Sequence, residues 1–158
     1  WAAAATGLLQ STGLLKGMAG PAAVLDLHNY LASLSLYAAT VHAVVLLWDR
    51  YVPFTVPAIL VPFSSDYKPL LVGMGSLAFY MALGVTVTTY FQAQFRPHTW
   101  RRIHQTSLVA YLLVLIHGLV LGTDTEWFAV RVLYAVTATS MAVLAAYRFL
   151  RGKRQHAR

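Results

Sequence analysis

Four histidines stand inside long apolar stretches. His28 and His42 lie in LDLHNYLASLSLYAATVHAVVLLWD, and His104 and His117 in WRRIHQTSLVAYLLVLIHGLVLGTDT. Neutral imidazole offers one nitrogen lone pair and is the commonest metal ligand among side chains. The first two are fourteen positions apart and the second two thirteen. On a helix those separations rise about 21 Å and about 19.5 Å. Each stretch therefore carries one imidazole near either end. The longer spacing returns His42 to within about 40° of His28 on the same helix face, whereas the shorter leaves His117 about 140° from His104. The first spacing suits two ligands stacked along one face. The second requires a helix distortion, or different directions of approach to two separate centres.

The elements that must hold these histidines follow from composition. The chain has 158 residues, 58% hydrophobic and 11% charged. In a soluble domain roughly a quarter of the residues are charged. The apolar residues run in segments of about 20 or more, the length that crosses a bilayer core as a helix. Five such segments are expected: residues 1–15, short or clipped at its start; 22–48; 69–92; 101–121; and 127–150. Between the second and third, YVPFTVPAILVPFSSDYKP carries Pro53, Pro57 and Pro62. Internal prolines break a continuous helix, so this stretch reads as an interfacial loop with one short turn. The expected fold is an all-α integral membrane helix bundle, with one transmembrane domain over residues 1–150 and a basic tail over 151–158.

Charge gives the orientation. Lys16, Arg96, Arg101, Arg102, Arg148, Arg151, Lys153, Arg154 and Arg158 fall on one side of an alternating topology. Arg50, Lys68 and Arg131 fall on the other, with Asp49, Asp66, Asp124 and Glu126. The positive-inside rule makes the first side cytoplasmic and places the C-terminus there, in a cell (inner or plasma) membrane. The net charge of +7 thus belongs to orientation and to contact with membrane lipid rather than to nucleic acid. There is no cysteine, so disulfides, thiolate metal sites and iron–sulfur ligation are excluded. His98 and His156 read as solvated loop and tail imidazoles.

In this topology the second and fourth spans run in the same direction. His28 then lies level with His104 on the cytoplasmic side, and His42 level with His117 on the outer side. Two level pairs, separated by about 20 Å of helical rise, would make two bis-imidazole sites. Haem is a flat, apolar macrocycle whose iron takes axial histidines, and it suits such a bundle. Without a C-x-x-C-H attachment motif, any haem would be noncovalent, of b type. Two other readings stay open. Histidines in spans also serve as interhelical hydrogen-bonding glue, and imidazoles can line a transition-metal path.

The pattern resembles the ferric reductase-like transmembrane domain, shared by eukaryotic ferric reductases, NADPH oxidases and the bacterial haem-bearing membrane subunit of the methionine sulfoxide reductase system. That family carries two histidines on each of two spans, at about the spacing found here, and His28, His42, His104 and His117 match those positions. WRRIHQTSLVAYLLVLIHG is similar to the family's W-R-x-x-H … L-x-H span. The resemblance covers roughly residues 5–148 and implies two b-type haems held between the second and fourth spans, with pairs His28–His104 and His42–His117. The family usually has six spans, where five are expected here. Its oxidases and reductases continue into flavin and nicotinamide domains, and no G-x-G-x-x-G following a strand is found in this sequence.

The expected function is a stand-alone dihaem cytochrome b that transfers electrons across the membrane. It would be an electron-transfer subunit of an oxidoreductase rather than a complete enzyme. Its donor would be a soluble flavoprotein, a quinol or a neighbouring membrane subunit. The alternative is a structural or accessory subunit of a larger electron-transfer complex. Arg101 and Arg102, one turn before His104, can pair with haem propionates bidentately or act only as charged anchors. Arg131 can meet outer propionates, or Asp124 and Glu126. Trp48, Trp100 and Trp127 read as an interfacial aromatic belt. Gly73, Gly75 and Gly84 read as points of close helix or macrocycle approach.

Overall fold

The computed structural model describes residues 1–156, with side chains through Arg151; Arg158 of the basic tail lies outside the described residues. Every regular element among the described residues is helical. The helices are α1 (Ala2–Thr12), α2 (Pro21–Val45), α3 (Val56–Leu60), α4 (Pro69–Tyr90), α5 (Pro97–Leu121) and α6 (Phe128–His156). Short 3-10 turns follow α2, α4 and α5 at Leu46–Trp48, Gln92–Gln94 and Thr123–Glu126.

Helices α2, α4 and α5 each open on a proline. At that position the missing N–H costs nothing and the fixed φ is already helical. The α1 helix stops at Gly13, whose φ of 68° is left-handed and whose N–H bonds to the Gln10 carbonyl. A side chain there would carry the Cβ penalty that glycine avoids. Three threonine hydroxyls within apolar α4 are satisfied locally. Thr86, Thr88 and Thr89 on α4 each donate to a carbonyl one turn back, which removes the cost of a bare hydroxyl in hydrocarbon.

Four helical segments are long and apolar enough to cross a membrane: Pro21–Trp48, Pro69–Tyr90, Pro97–Leu121 and Phe128–Arg151. The expected fifth, over residues 1–15, is the 11-residue α1. It rises only about 16 Å, roughly half the hydrocarbon depth. The proline-rich loop contains α3, a helix of five residues. Thr55 caps it by accepting from the Ala58 N–H.

Contacts group the chain into two units. One comprises Trp1–Ser33 with Glu126–Arg158. In it α1 packs on α6 and buries Ala5, Leu8 and Thr12 from one face. Trp1 Nε1–H donates to Ser140 Oγ at 2.8 Å, and the Arg151 guanidinium donates to the Thr12 carbonyl at the α1 C-terminus. The other unit is Leu34–Thr125. Here α4 packs on α5 and α3 on α4. Val72, Gly73, Ala78, Val85 and Ala110 are buried, small side chains that let helix backbones approach. Along its length α2 buries only Val24. Leu25, Leu27, Leu34, Val41 and Val44 are exposed, the surface a lipid-facing helix presents.

Candidate functional site

His117, near the end of α5, brings its ring against α4. Its Nδ1–H donates to the Leu71 carbonyl at 2.8 Å. A carbonyl oxygen only accepts, so the proton must be on Nδ1, and the neutral ring keeps its lone pair on Nε2. The ring also lies over Gly75: a Cβ built there would come within 2.7 Å of His117 Cε1. Leu71 and Gly75 are four apart and share a face of α4. One residue therefore supplies the hydrogen-bond acceptor and the other the space.

The same arrangement recurs in the other unit. His28 Nδ1–H donates to the Ala3 carbonyl of α1 at 2.8 Å, with the Thr6 hydroxyl oxygen a second partner at 3.4 Å. A Cβ at Gly7 would stand 3.1 Å from His28 Cε1. Ala3 and Gly7 are again four apart. In both places a carbonyl at position i fixes the ring's tautomer and a glycine at i+4 seats it. This is the support that ligating imidazoles receive in metal sites, where the second nitrogen is held by a carbonyl or carboxylate.

His42, from α2, meets His117 with ring centroids 6.4 Å apart and planes at 86°. Two imidazoles bound to opposite sides of one iron through bonds of about 2.0 Å would hold their centroids roughly 6.3 Å apart. Rotation about that axis is free, so perpendicular planes are compatible. The His42–His117 pair therefore fits an axially ligated haem in spacing and, at His117, in tautomer. Among the described residues no three His, Cys, Asp or Glu side chains gather as a multi-residue metal centre would need.

His104 sits on α5 one turn after Trp100. Their rings are 5.1 Å apart at a 31° tilt. Trp100 Nε1–H is buried without a hydrogen-bond partner among the described residues. Trp100, expected in an interfacial belt at the span end, thus also stands beside a candidate ligand. An unsatisfied buried donor is costly, and a haem propionate is an acceptor that would satisfy it. Arg101 and Arg102, the residues expected to hold propionates, are exposed on the first turns of α5. Gly7, Thr6, Ala3 and Leu71 were not singled out in the sequence. Their only signal there is small residues beside an ordinary carbonyl, which no pattern distinguishes.

Membrane-length apolar helices with buttressed imidazoles define a multi-pass helical membrane protein. The chain belongs to the ferric reductase like transmembrane component family, whose model matches residues 6–115. The match takes in His28, His42 and His104 and stops just short of His117. No curated protein and no solved structure matches the chain. The family resemblance read from the histidine spacing is borne out.

Proposed function

We propose that this chain is a dihaem b-type membrane cytochrome that carries electrons between the two faces of the bilayer. The observation that carries the reading is the His42–His117 pair, 6.4 Å between centroids, with His117 Nδ1 tied to the Leu71 carbonyl. When bound, haem supplies the one-electron ferric–ferrous couple. The remainder is the work of the chain. His42 and His117 would hold one haem, and His28 and His104 the other. The carbonyls of Leu71 and Ala3 hold His117 and His28 with Nε2 available and add electron density to the ring. Trp100 Nε1–H, with Arg101 and Arg102, would receive the propionates of the haem held by His28 and His104. Apolar helix surface keeps water from both rings.

Family membership supports a membrane electron-transfer component. The positive-inside rule supports a cytoplasmic C-terminus, with His28 and His104 nearer that side. A soluble flavoprotein, a quinol or a neighbouring membrane subunit would be the donor. A pyridine haemochrome assay on the purified intact chain tests the reading. Two noncovalent b-type haems per chain are expected. A chain that carries no haem when isolated from haem-replete membranes refutes the proposal.

A further inference from the structure

A cavity of about 440 Å³ opens where α1 ends beside α6, within the unit formed by the two chain ends. Lys16, Arg148 and Arg151 line it together with Gln10, Ser11 and Thr12. No acidic residue is among its lining. The bland account is that these cations serve the negative end of a helix, and Arg151 does donate to the Thr12 carbonyl. A helix C-terminus offers only about half a unit of negative charge. Three full positive charges leave an excess of more than two. Lone anchoring cations snorkel outward independently; these three face one concavity.

The surroundings restrict what can neutralise them. Arg148 and Arg151 end the last membrane-length segment, Phe128–Arg151. The cavity therefore belongs to the depth at which headgroups lie. Beside the cations along the chain, Leu14, Met18, Phe149 and Leu150 are exposed, Met18 and Phe149 by 81% and 73%. At headgroup depth, with exposed apolar residues close in the chain to each cation, the anion such a cavity meets is the head of an amphiphile rather than a free ion. We infer that this cavity binds the phosphate of an anionic glycerophospholipid, with Arg148 and Lys16 on the headgroup and the acyl chains along the apolar neighbours. Arg151 contributes charge while capping α1. Guanidinium matches phosphate bidentately, and lysine adds a point charge.

Native mass spectrometry of the full chain in detergent, titrated with equimolar phosphatidylglycerol and phosphatidylcholine, tests this. Phosphatidylglycerol should be retained about tenfold over phosphatidylcholine. Lys16→Gln and Arg148→Gln should each cut that preference about fivefold, the effect of one interfacial charge. Arg151 is left intact because its loss would also uncap α1. Lys153→Gln with Arg154→Gln should leave the preference unchanged. Equal retention of both lipids would overturn the inference. So would a preference that survives the cavity variants but falls with the tail variant, which would mark diffuse attraction to the tail. Displacement of phosphatidylglycerol by millimolar inorganic phosphate would mark a free-anion site and overturn the lipid assignment. Cavity variants that lower haem content or shift its spectrum while lipid retention holds would assign the cations to propionates instead.

Discussion

A methyl group at position 75 has nowhere to go. Its carbon would sit 2.7 Å from Cε1 and 2.8 Å from Nδ1 of His117, so Gly75→Ala must displace the ring and weaken its bond to Leu71. Overpacking of this kind costs about 1–3 kcal/mol. We expect Gly75→Ala to lose roughly half of the bound haem while the His28 site keeps its own, measured by haemochrome content and the reduced spectrum. Gly7→Ala, at 3.1 Å from His28, should act on the other site and more mildly. Gly84→Ala, which meets nothing within 4 Å, is the control and should change neither. Replacing His42 or His117 by Ala should remove the same haem that Gly75→Ala weakens, and replacing His28 or His104 the other. Loss of the His42 haem on replacing His28, with the second haem retained, would refute the pairing. The histidines were legible because an imidazole in an apolar run is conspicuous and helical rise converts spacing into depth. Gly75 was read as a point of close approach, but that it admits the His117 ring was not legible, nor was Gly7 beneath His28, because a glycine on one helix beneath a ring from another leaves no local periodicity. The stacking of Trp100 on His104 was hidden for a related reason: a tryptophan at a span end reads the same whether or not it stacks on the next turn.

Helix boundaries show what local signals can and cannot fix. Pro21 and Pro69 open α2 and α4 beside the expected starts, since each proline directly adjoins an apolar run. The span expected from Arg101 begins a turn sooner, at Pro97. There the polar run PHTW hides a helix start from a hydrophobicity reading. The last helix, expected to end near residue 150, continues to His156. Lysine and arginine are good helix formers, so a basic run need not end a helix. The five-residue α3 is too short to stand alone. Side chains of α4 strap it down: Ser76 Oγ donates to the Ile59 carbonyl at 2.6 Å and Tyr80 Oη to the Leu60 carbonyl at 2.5 Å. Those carbonyls have no partner further along a helix that has ended. Ser76→Ala and Tyr80→Phe should each release about 1 kcal/mol of this restraint. Hydrogen exchange over residues 56–61 is the measurement, with about fivefold faster exchange expected for each variant.

Across the chain as a whole, the four membrane-length segments and the charge asymmetry make a prediction about sidedness. Nine of the twelve Lys and Arg residues fall at one set of span ends. A C-terminal reporter should therefore read cytoplasmic. Reversing Arg148, Arg151, Lys153 and Arg154 together to Glu should lower the fraction of correctly oriented chains, as protease accessibility of the reporter would show. A reporter on the opposite face in the unaltered chain would overturn the assigned orientation. The class of fold was legible because composition alone excludes a soluble domain and lipid admits few architectures. The end of the first segment was less legible: composition marks residues 1–15 as apolar, but α1 stops at Thr12, where Gly13 takes the left-handed conformation.

The two histidine seats differ in one respect with a bearing on biogenesis. The bond from His28 to Ala3 closes over 25 residues, and that from His117 to Leu71 over 46. A ribosome delivers the chain from its N-terminus at about 5–20 residues per second. The α1 seat and its histidine are thus both synthesised before α4 exists, and closing the shorter loop costs less chain entropy. One imidazole of the first pair is oriented early, while its proposed partner His104 is still untranslated. The second seat can form only once α5 has emerged, with α6 still to come. Under the proposed pairing both sites await α5, which carries His104 and His117, so one seat stands ready well before either pair can close.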